Sequence, residues 1–358
     1  MKYALIGCGR ISANHIAAAV NNHLDITALS DIHADRAHDL ACKFSLNEKD
    51  TVIYTDYKKM LEEQQPQLAA IATESGKHAQ IALDCMDFGC NVIIEKPIAL
   101  SIEDADAIIA KGKAKGVKVC VCHQNRFNKS IQKIRSAIDG QAFGRMYYGT
   151  AHIRWNRGEE YYRQADWRGT WKEDGGALMN QCIHNIDLLR WMMGDDIDTV
   201  YGITDRLNHP YIEAEDLGIA IVQFKNGCYG VVEGTTDIYP ENLEETLYLL
   251  GEKGTVKAGG KSVNAIEEWR FAGCTEEEAA KIKEKYSEYP PNVYGYGHSK
   301  LYENVIAAIK GEYELLVDGE AGKRALELVL AIYRSAADGK PVKLPLAKGA
   351  AVDFTGRF

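Results

Sequence analysis

Several things are missing from this chain, and each absence removes a class of protein. No uninterrupted apolar run of about 18 residues occurs, so no helical membrane span is expected. No run of Lys and Arg occurs either. The chain has 42 basic against 51 acidic residues, a net charge of −9. Its electrostatics give no reason to bind nucleic acid or an anionic membrane, and an anionic ligand would need a local cluster of cations. The opening MKYALIGCGR runs straight into a strand and a glycine turn, with no apolar h-region ahead of a cleavage site, so no signal peptide is expected. Nine cysteines, an odd number, are scattered without a disulfide framework, which fits a reducing cytoplasm. The nearest approach to a metal motif is CVCH, with Cys120, Cys122 and His123. No second Cys/His pair follows at finger spacing, so it reads as a strand and no metal is expected. No internal repeat or low-complexity linker interrupts the chain.

What is present is enough residues for about two domains, 358 in all, with 46% hydrophobic residues to build their cores. The first third alternates short apolar runs (YALIG, ITALSD, LAAIAT, NVIIEK, VKVCVC) with helix-like stretches such as ISANHIAAAVNN and SIEDADAIIAKGKAKG. Strands that alternate with helices imply crossover units and a parallel sheet covered on both faces. After residue 123 the pattern changes. GRMYYGTAHIRW, TVYGITDRL, DLGIAIVQFKNGCYGVVEGTTD and ETLYLLGEKGTVKAGG read as strands joined by hairpins, with KNG and EKG supplying turn glycines. Helices are expected at 175–193, about 298–311 and 319–337. The expected fold is therefore α/β over 1–123, followed over 124–358 by an α+β domain with a large, mostly antiparallel sheet.

In YALIGCGRIS, the stretch Gly7-Cys8-Gly9-Arg10-Ile11-Ser12 lies between the first strand and the first helix. Gly7 would make the tight turn, and Gly9 would let a pyrophosphate approach the backbone at the helix N-terminus. Ser12 stands where a third glycine is usual. A lone motif of this kind is weak evidence. Heading an alternating α/β domain, it marks a dinucleotide-binding Rossmann domain. Asp31 ends the second strand, about 20 residues on, where a carboxylate accepts bonds from a ribose diol and repels a 2′-phosphate. That favours NAD over NADP. The alternative is that Asp31 caps the next helix. Arg36, five residues further, is a candidate for the adenosine side. TESGKH, with Thr73, Glu74, Ser75 and His78, follows the third long strand and should line the cofactor. So should Asn125 in QNR, which is expected to cross to the second domain.

NVIIEKP places Glu95 and Lys96 at the C-terminal end of a parallel strand, the edge outside which ligands bind in open α/β sheets. A partly desolvated lysine there can take part in proton transfer. The stretch GGALMNQCIHNIDLLRW, 175–191, is mostly greasy, yet Asn180, His184 and Asp187 fall at i, i+4 and i+7, on one stripe of a helix. Buried polar groups need partners, so either the protein or a substrate must supply them.

Taken together, GCGRIS…NH, EKP, HQNRF, WRGTW and GGALMNQCIHNIDLL resemble the glucose–fructose oxidoreductase / inositol dehydrogenase / rhizopine-catabolism (Gfo/Idh/MocA) family, over nearly the whole chain and in the family's order. The resemblance implies a nicotinamide cofactor and hydride transfer at a sugar or polyol carbon. It also implies an α+β domain whose sheet mediates a homodimer or homotetramer. Lys96 matches the family's active-site lysine and His184 its histidine. Many members have Asp where this chain has Asn180, which cannot take a proton, so acid–base work falls to His184 and Lys96. Asp187 would either hold the imidazole tautomer from behind or tie the helix to its neighbours.

MNQ-x-IH-x-IDLL, YPENLEETLYLLGEKGTV and GYGHSKLYENVIAAI are similar to a narrower group, the UDP-N-acetylglucosaminuronate (UDP-GlcNAcA) 3-dehydrogenases of surface-polysaccharide pathways. On that resemblance Asn180 and His298 are substrate-binding candidates. RWNRGEEYYRQADWRGTW offers Arg154, Arg157 and Arg163 to an anionic substrate among stacking aromatics. Trp167 and Arg168 are placed by the resemblance near the nicotinamide half of the cofactor. Two other readings stand beside this one. The first is the same chemistry on a free sugar or inositol, against which Asn180 argues. The second is a non-catalytic NAD-sensing regulator, for which loss of Lys96 or His184 would have argued.

Overall fold

The structure, a computed structural model, describes residues 1–47, 49–290 and 292–358. It divides into two compact units. The first comprises Met1–Ala99, Glu103–Gln124 and His298–Lys323; the second comprises Leu100–Ile102, Asn125–Gly297 and Arg324–Phe358.

The first unit is built on six strands: β1 (Lys2–Ile6), β2 (Asp25–Ser30), β3 (Val52–Tyr54), β4 (Leu68–Ile71), β5 (Asn91–Ile94) and β6 (Val119–Val121). Their order is β3-β2-β1-β4-β5-β6 and every pair is parallel. LAAI in β4 is buried throughout, as a strand covered on both faces must be. The crossovers are α1 (Ser12–Asn21), α2 (Ala34–Lys43), α3 (Tyr57–Gln64), α4 (His78–Asp87) and α5 (Ile102–Lys115). The strand order reverses beside β1, the switch point where a dinucleotide binds in this topology.

The second unit carries α6 (Lys129–Asp139), β7 (Met146–Arg154), the short α7 (Glu159–Tyr162), a π-helical turn (Leu178–Cys182) and α8 (Ile183–Met193). Then come β8 (Ile197–Asp205), β9 (Leu217–Phe224), β10 (Tyr229–Thr235), β11 (Glu244–Gly251), β12 (Gly254–Gly259), β13 (Ala265–Phe271) and α9 (Glu276–Tyr286). After α10 (Gly297–Ile309), α11 (Gly319–Asp338) runs from the first unit into the second, and β14 (Val342–Lys343) closes the sheet. The eight strands lie in the order β13-β12-β11-β7-β10-β9-β8-β14. All pairs are antiparallel but one, β7 with β10. α8 presses on one face of this sheet where glycines leave room. A Cβ on Gly149 would come within 2.8 Å of Met193 Sδ, and one on Gly234 within 2.5 Å of Cys182 Sγ.

Two expectations are corrected. The second domain is not the contiguous 124–358, because His298–Lys323 returns to the first unit. There the Tyr302 hydroxyl bonds the Tyr3 hydroxyl at 2.9 Å and His15 Nδ1 at 2.7 Å. An amphipathic helix pattern shows which face is apolar, not which sheet that face will cover. The helix at 175–193 is also not α-helical throughout, since its first turn is a π turn.

Candidate active site

In the first unit the glycine turn has the geometry its sequence implies. Gly7 sits at φ +94°, and a Cβ there would come within 2.6 Å of the Ala72 carbonyl. Only glycine fits such a position. At Gly9 a Cβ would meet no protein atom within 4 Å, so the opening beside it lies clear of the chain. Ser12 takes the third position and turns its hydroxyl back to the Gly9 carbonyl at 2.5 Å. Arg10 is exposed and Ile11 half-buried at the start of α1. Asp31 is buried; its Oδ2 accepts the Cys8 amide and its Oδ1 the His33 amide, each at 2.8 Å. The carboxylate is thus held beside the glycine turn. The N-cap of α2 is His33, not Asp31. Arg36 lies exposed in the first turn of α2. An open glycine cradle, a helix start and a fixed carboxylate fit a dinucleotide with a free ribose diol.

Beyond β4, Thr73 and Glu74 are half-buried and Ser75 is buried in a single 3₁₀ turn. His78 is spent inside the protein: its Nδ1 lies 2.8 Å from the Pro97 carbonyl and its Nε2 3.2 Å from that of Thr73. It braces the segments that follow β4 and β5. Glu95 is likewise buried, with His15 Nε2 at 3.0 Å and the Lys96 amide at 3.2 Å. Burial would raise the Glu95 carboxyl, but the bond from His15 and the nearby His298 ring hold it well below the usual carboxylate range. His298, expected among the substrate contacts, instead sits 5% exposed with Nε2 3.7 Å from Glu95. Its position as the first residue of the chain's return to this unit explains the difference, and burial pushes its pKa down. Ligand-type atoms of His15, Glu95, Cys122 and His298 all lie within 4.8 Å of one another, a cluster the CVCH motif did not announce. Lys96, half-buried, follows directly at the end of β5, and its bond to Pro97 is cis.

In the second unit the greasy helix yields its answer. From Asp174 to Arg190 every residue is buried except Asn180 and His184. Those two polar side chains face out of an otherwise closed helix. Asn180 Nδ2 donates to Asp174, whose other oxygen takes the Gly169 amide at 2.8 Å. The amide is thereby oriented, with its nitrogen toward the protein. Both oxygens of Asp187 accept from Arg126, at 2.7 Å from Nε and 2.6 Å from Nη2, a contact that ties the helix to its neighbours. The pair is buried on both sides and bolts α8 to the turn of Gln124–Phe127.

The π turn is opened by Glu215. Its Oε1 accepts the Leu178 amide and the Tyr333 hydroxyl, each at 2.8 Å, and its carbonyl accepts the Ala177 amide. Burial raises the Glu215 carboxyl to about 8. Glu215, Asp174 and Tyr161 were not found by sequence reasoning. No motif marks them, and their partners are distant or lie across a turn.

The arginine segment divides. Arg154 is clasped by Glu233, at 2.6 and 2.7 Å, and by Glu244 at 3.2 Å. Arg163 is largely exposed and pairs with Glu159 one turn back. Both charges are paired with carboxylates of the protein. Arg157 lies flat against Trp155, 4.5 Å from the ring, and bonds Asn242 Oδ1 at 3.0 Å. Arg168 stacks on Tyr161 and half-buried Trp167 at 4.3 and 4.6 Å and donates to the Tyr161 hydroxyl. That hydroxyl also takes Gln181 of the π turn at 3.1 Å, so Arg168 and the π turn share one anchor. Asn125, expected at the cofactor, turns its amide to Glu245 and Ser262 instead.

A parallel sheet with this strand order and glycine turn, joined in one chain to a sheet whose covering helix shows only Asn180 and His184, defines a nicotinamide-type oxidoreductase. The comparisons agree. Residues 1–123 match the model "Oxidoreductase family, NAD-binding Rossmann fold" and residues 135–344 "Oxidoreductase family, C-terminal alpha/beta domain". The WlbA dehydrogenase of Bordetella pertussis, solved with NADH and UDP-GlcNAcA, is 36% identical with a TM-score of 0.89, covering 97% of this chain and 98% of its own. Its counterpart from Chromobacterium violaceum, solved with the same two ligands, is 34% identical with a TM-score of 0.87, covering 97% and 96%. The myo-inositol 2-dehydrogenase of Thermotoga maritima is 23% identical over 349 residues, 96% of this chain and 98% of that protein. The chain belongs to the Gfo/Idh/MocA oxidoreductase family. It is an NAD-dependent dehydrogenase acting on sugar-type hydroxyls.

Proposed function

We propose that this protein oxidises C3 of UDP-GlcNAcA for surface-polysaccharide synthesis. The observation that carries the reading is the pair Asn180 and His184, the two openings in a buried helix, on a chain similar over its full length to proteins solved with that nucleotide sugar. NAD, when held by Gly7, Gly9 and Asp31, would supply the hydride acceptor for the ring carbon. The chain manages the proton and the position. His184 accepts the hydroxyl proton, a contribution of roughly 10²–10⁴ in rate. Lys96 supplies a cation for the negative charge that develops on that oxygen. Asn180, its amide nitrogen held by Asp174, presents its oxygen as an acceptor to a sugar hydroxyl. Arg157, stacked on Trp155, is the cation for the substrate's acidic groups, and Arg168, stacked on Trp167, would contact the nicotinamide half of the cofactor. Gly7, Gly9 and Asp31 seat the dinucleotide, and Asp31 disfavours a 2′-phosphate.

The protein works in a reducing compartment, the cytoplasm, where its nine free cysteines persist. It acts as a homo-oligomer through the outer face of the eight-stranded sheet. Tyr201, Ile203, Ile219, Ile221 and Tyr229 stand 38–54% exposed there, an apolar surface of the kind that marks an interface.

The test is absorbance of reduced nicotinamide with NAD or NADP and, in separate wells, UDP-GlcNAcA, UDP-GlcNAc, glucose and myo-inositol. A parallel set contains 2-oxoglutarate to reoxidise retained cofactor. Turnover with the uronate and NAD alone is expected. Turnover with glucose or inositol in its place overturns the nucleotide-sugar assignment.

A further inference from the structure

Glu245 has no role in the account so far, and its surroundings ask for one. It is the second residue of β11 and is 5% exposed. Its Oε1 has one long bond, from Asn125 Nδ2 at 3.3 Å, and its Oε2 is buried with no partner. An orphaned buried oxygen of this kind is rare in a native protein and costs stability.

The register shows where it lies. Glu245 pairs with Ile153 of β7, Ile153 with Gly234 of β10, and Gly234 with Gly218 of β9. Cys182 and Leu178 of the π turn rest on Gly234, and Leu178 on Gly218. Glu245 is therefore on the helix-covered face, in the strand row that carries the π turn and hence Asn180. The same strand end leads into Trp155 and Arg157, and Arg157 is the charge that Glu245 senses. On α8, next to His184, buried Asn185 gives its amide to the Thr246 carbonyl at 3.4 Å and leaves its own Oδ1 without a donor. Two polar oxygens without a protein partner thus flank Thr246.

We propose that Glu245 is a substrate-binding residue, whose unpartnered Oε2 at the π-turn end of the sheet takes a hydroxyl group of the sugar. A hydroxyl both donates and accepts, and so does a protonated carboxyl. Burial raises the Glu245 carboxyl to about 8, against the field of Arg157 and the Asn125 bond, so near neutrality it is the uncharged acid and needs no counter-ion. Asn125, fixed between Glu245 and Ser262, positions the group. The inference rests on the family's sugar-hydroxyl chemistry and not on the choice of nucleotide sugar.

The experiment compares wild type, E245A and E245Q. It measures KM and kcat with NAD on UDP-GlcNAcA and on myo-inositol, and melting temperature without any sugar. E245A should raise KM about tenfold or more with little change in kcat, the pattern of a lost ground-state contact. E245Q, which also donates and accepts, should recover most of that affinity. Without sugar E245Q should melt no lower than wild type, because the carboxyl it replaces is not satisfied within the protein. Unchanged KM in both variants overturns the proposal, as does a fall in the melting temperature of E245Q that accounts for its lost activity. If wild type oxidises inositol and not the uronate, the nucleotide-sugar reading falls, and KM on inositol still decides the role of Glu245.

Discussion

At the scale of single residues, the molecule spends most of its polar side chains on itself. His209 shows how strongly. It is 2% exposed, and its Nδ1 lies 3.1 Å from Asp216 and 3.0 Å from Asp237. Burial alone would lower its pKa, but the two adjacent carboxylates outweigh that and raise it to about 9. A histidine with a raised folded pKa contributes stability that is fully present below its unfolded value of about 6.5 and is lost as pH rises through about 9. Urea midpoints should therefore fall between these pH values, and His209→Phe should flatten that fall. Glu215 and Glu245, each raised to about 8 by burial, lower stability in the same direction from about pH 4.5 upward. The difference between wild type and His209→Phe isolates the histidine; identical slopes would refute its charged state. Residues whose role is backbone geometry were legible from sequence, Gly7 above all, because a positive φ selects glycine directly. The pairing of Arg154 was not legible, because sequence shows an arginine but not its cross-strand neighbours. Glu244 stands opposite it on β11, and Glu233 lies two residues from Thr235, the position opposite it on β10.

At the scale of elements, the helix over 178–193 is the part on which function turns, and it is anchored twice. Glu215 opens its π turn, and Asp187 fixes its middle to Arg126. Removing one member of a buried ion pair strands the other charge, at a cost of about 3–5 kcal/mol. Asp187→Asn should lower the unfolding free energy by that order in urea titration. A loss under about 1 kcal/mol, the range of exposed pairs, would show that the pair does not hold the helix. The stripe of Asn180, His184 and Asp187 was visible in the sequence, and its first and second members do face outward. The π turn was not visible, because one extra residue per turn leaves composition unchanged and its stabilising carboxylate comes from Glu215, 37 residues from Leu178. The alternation of the first six strands was legible because parallel strands are short apolar runs between amphipathic helices. The destination of α10 was not, since it depends on Tyr302 meeting Tyr3, 299 residues away.

At the scale of the whole molecule, the eight-stranded sheet has one face under α8 and another that ends in tyrosine and isoleucine. β9 reads LGIAIVQF, with Gly218, Ala220, Val222 and Phe224 inward and Ile219 and Ile221 outward. An ordinary solvated face would carry polar residues at the outward positions. Ile221→Lys, placed mid-face, should shift the protein toward monomers in sedimentation velocity while leaving NADH affinity intact. An unchanged sedimentation coefficient would remove this face from the assembly.

The account as a whole depends on a proton leaving a sugar hydroxyl for His184. The most direct test is His184→Ala, with steady-state kcat measured at saturating NAD and sugar and NADH affinity measured in the same preparation. A fall in kcat of roughly 10²–10⁴ with cofactor binding preserved is the predicted result. An unchanged kcat would contradict the mechanism and leave His184 as an opening in the helix without a chemical part.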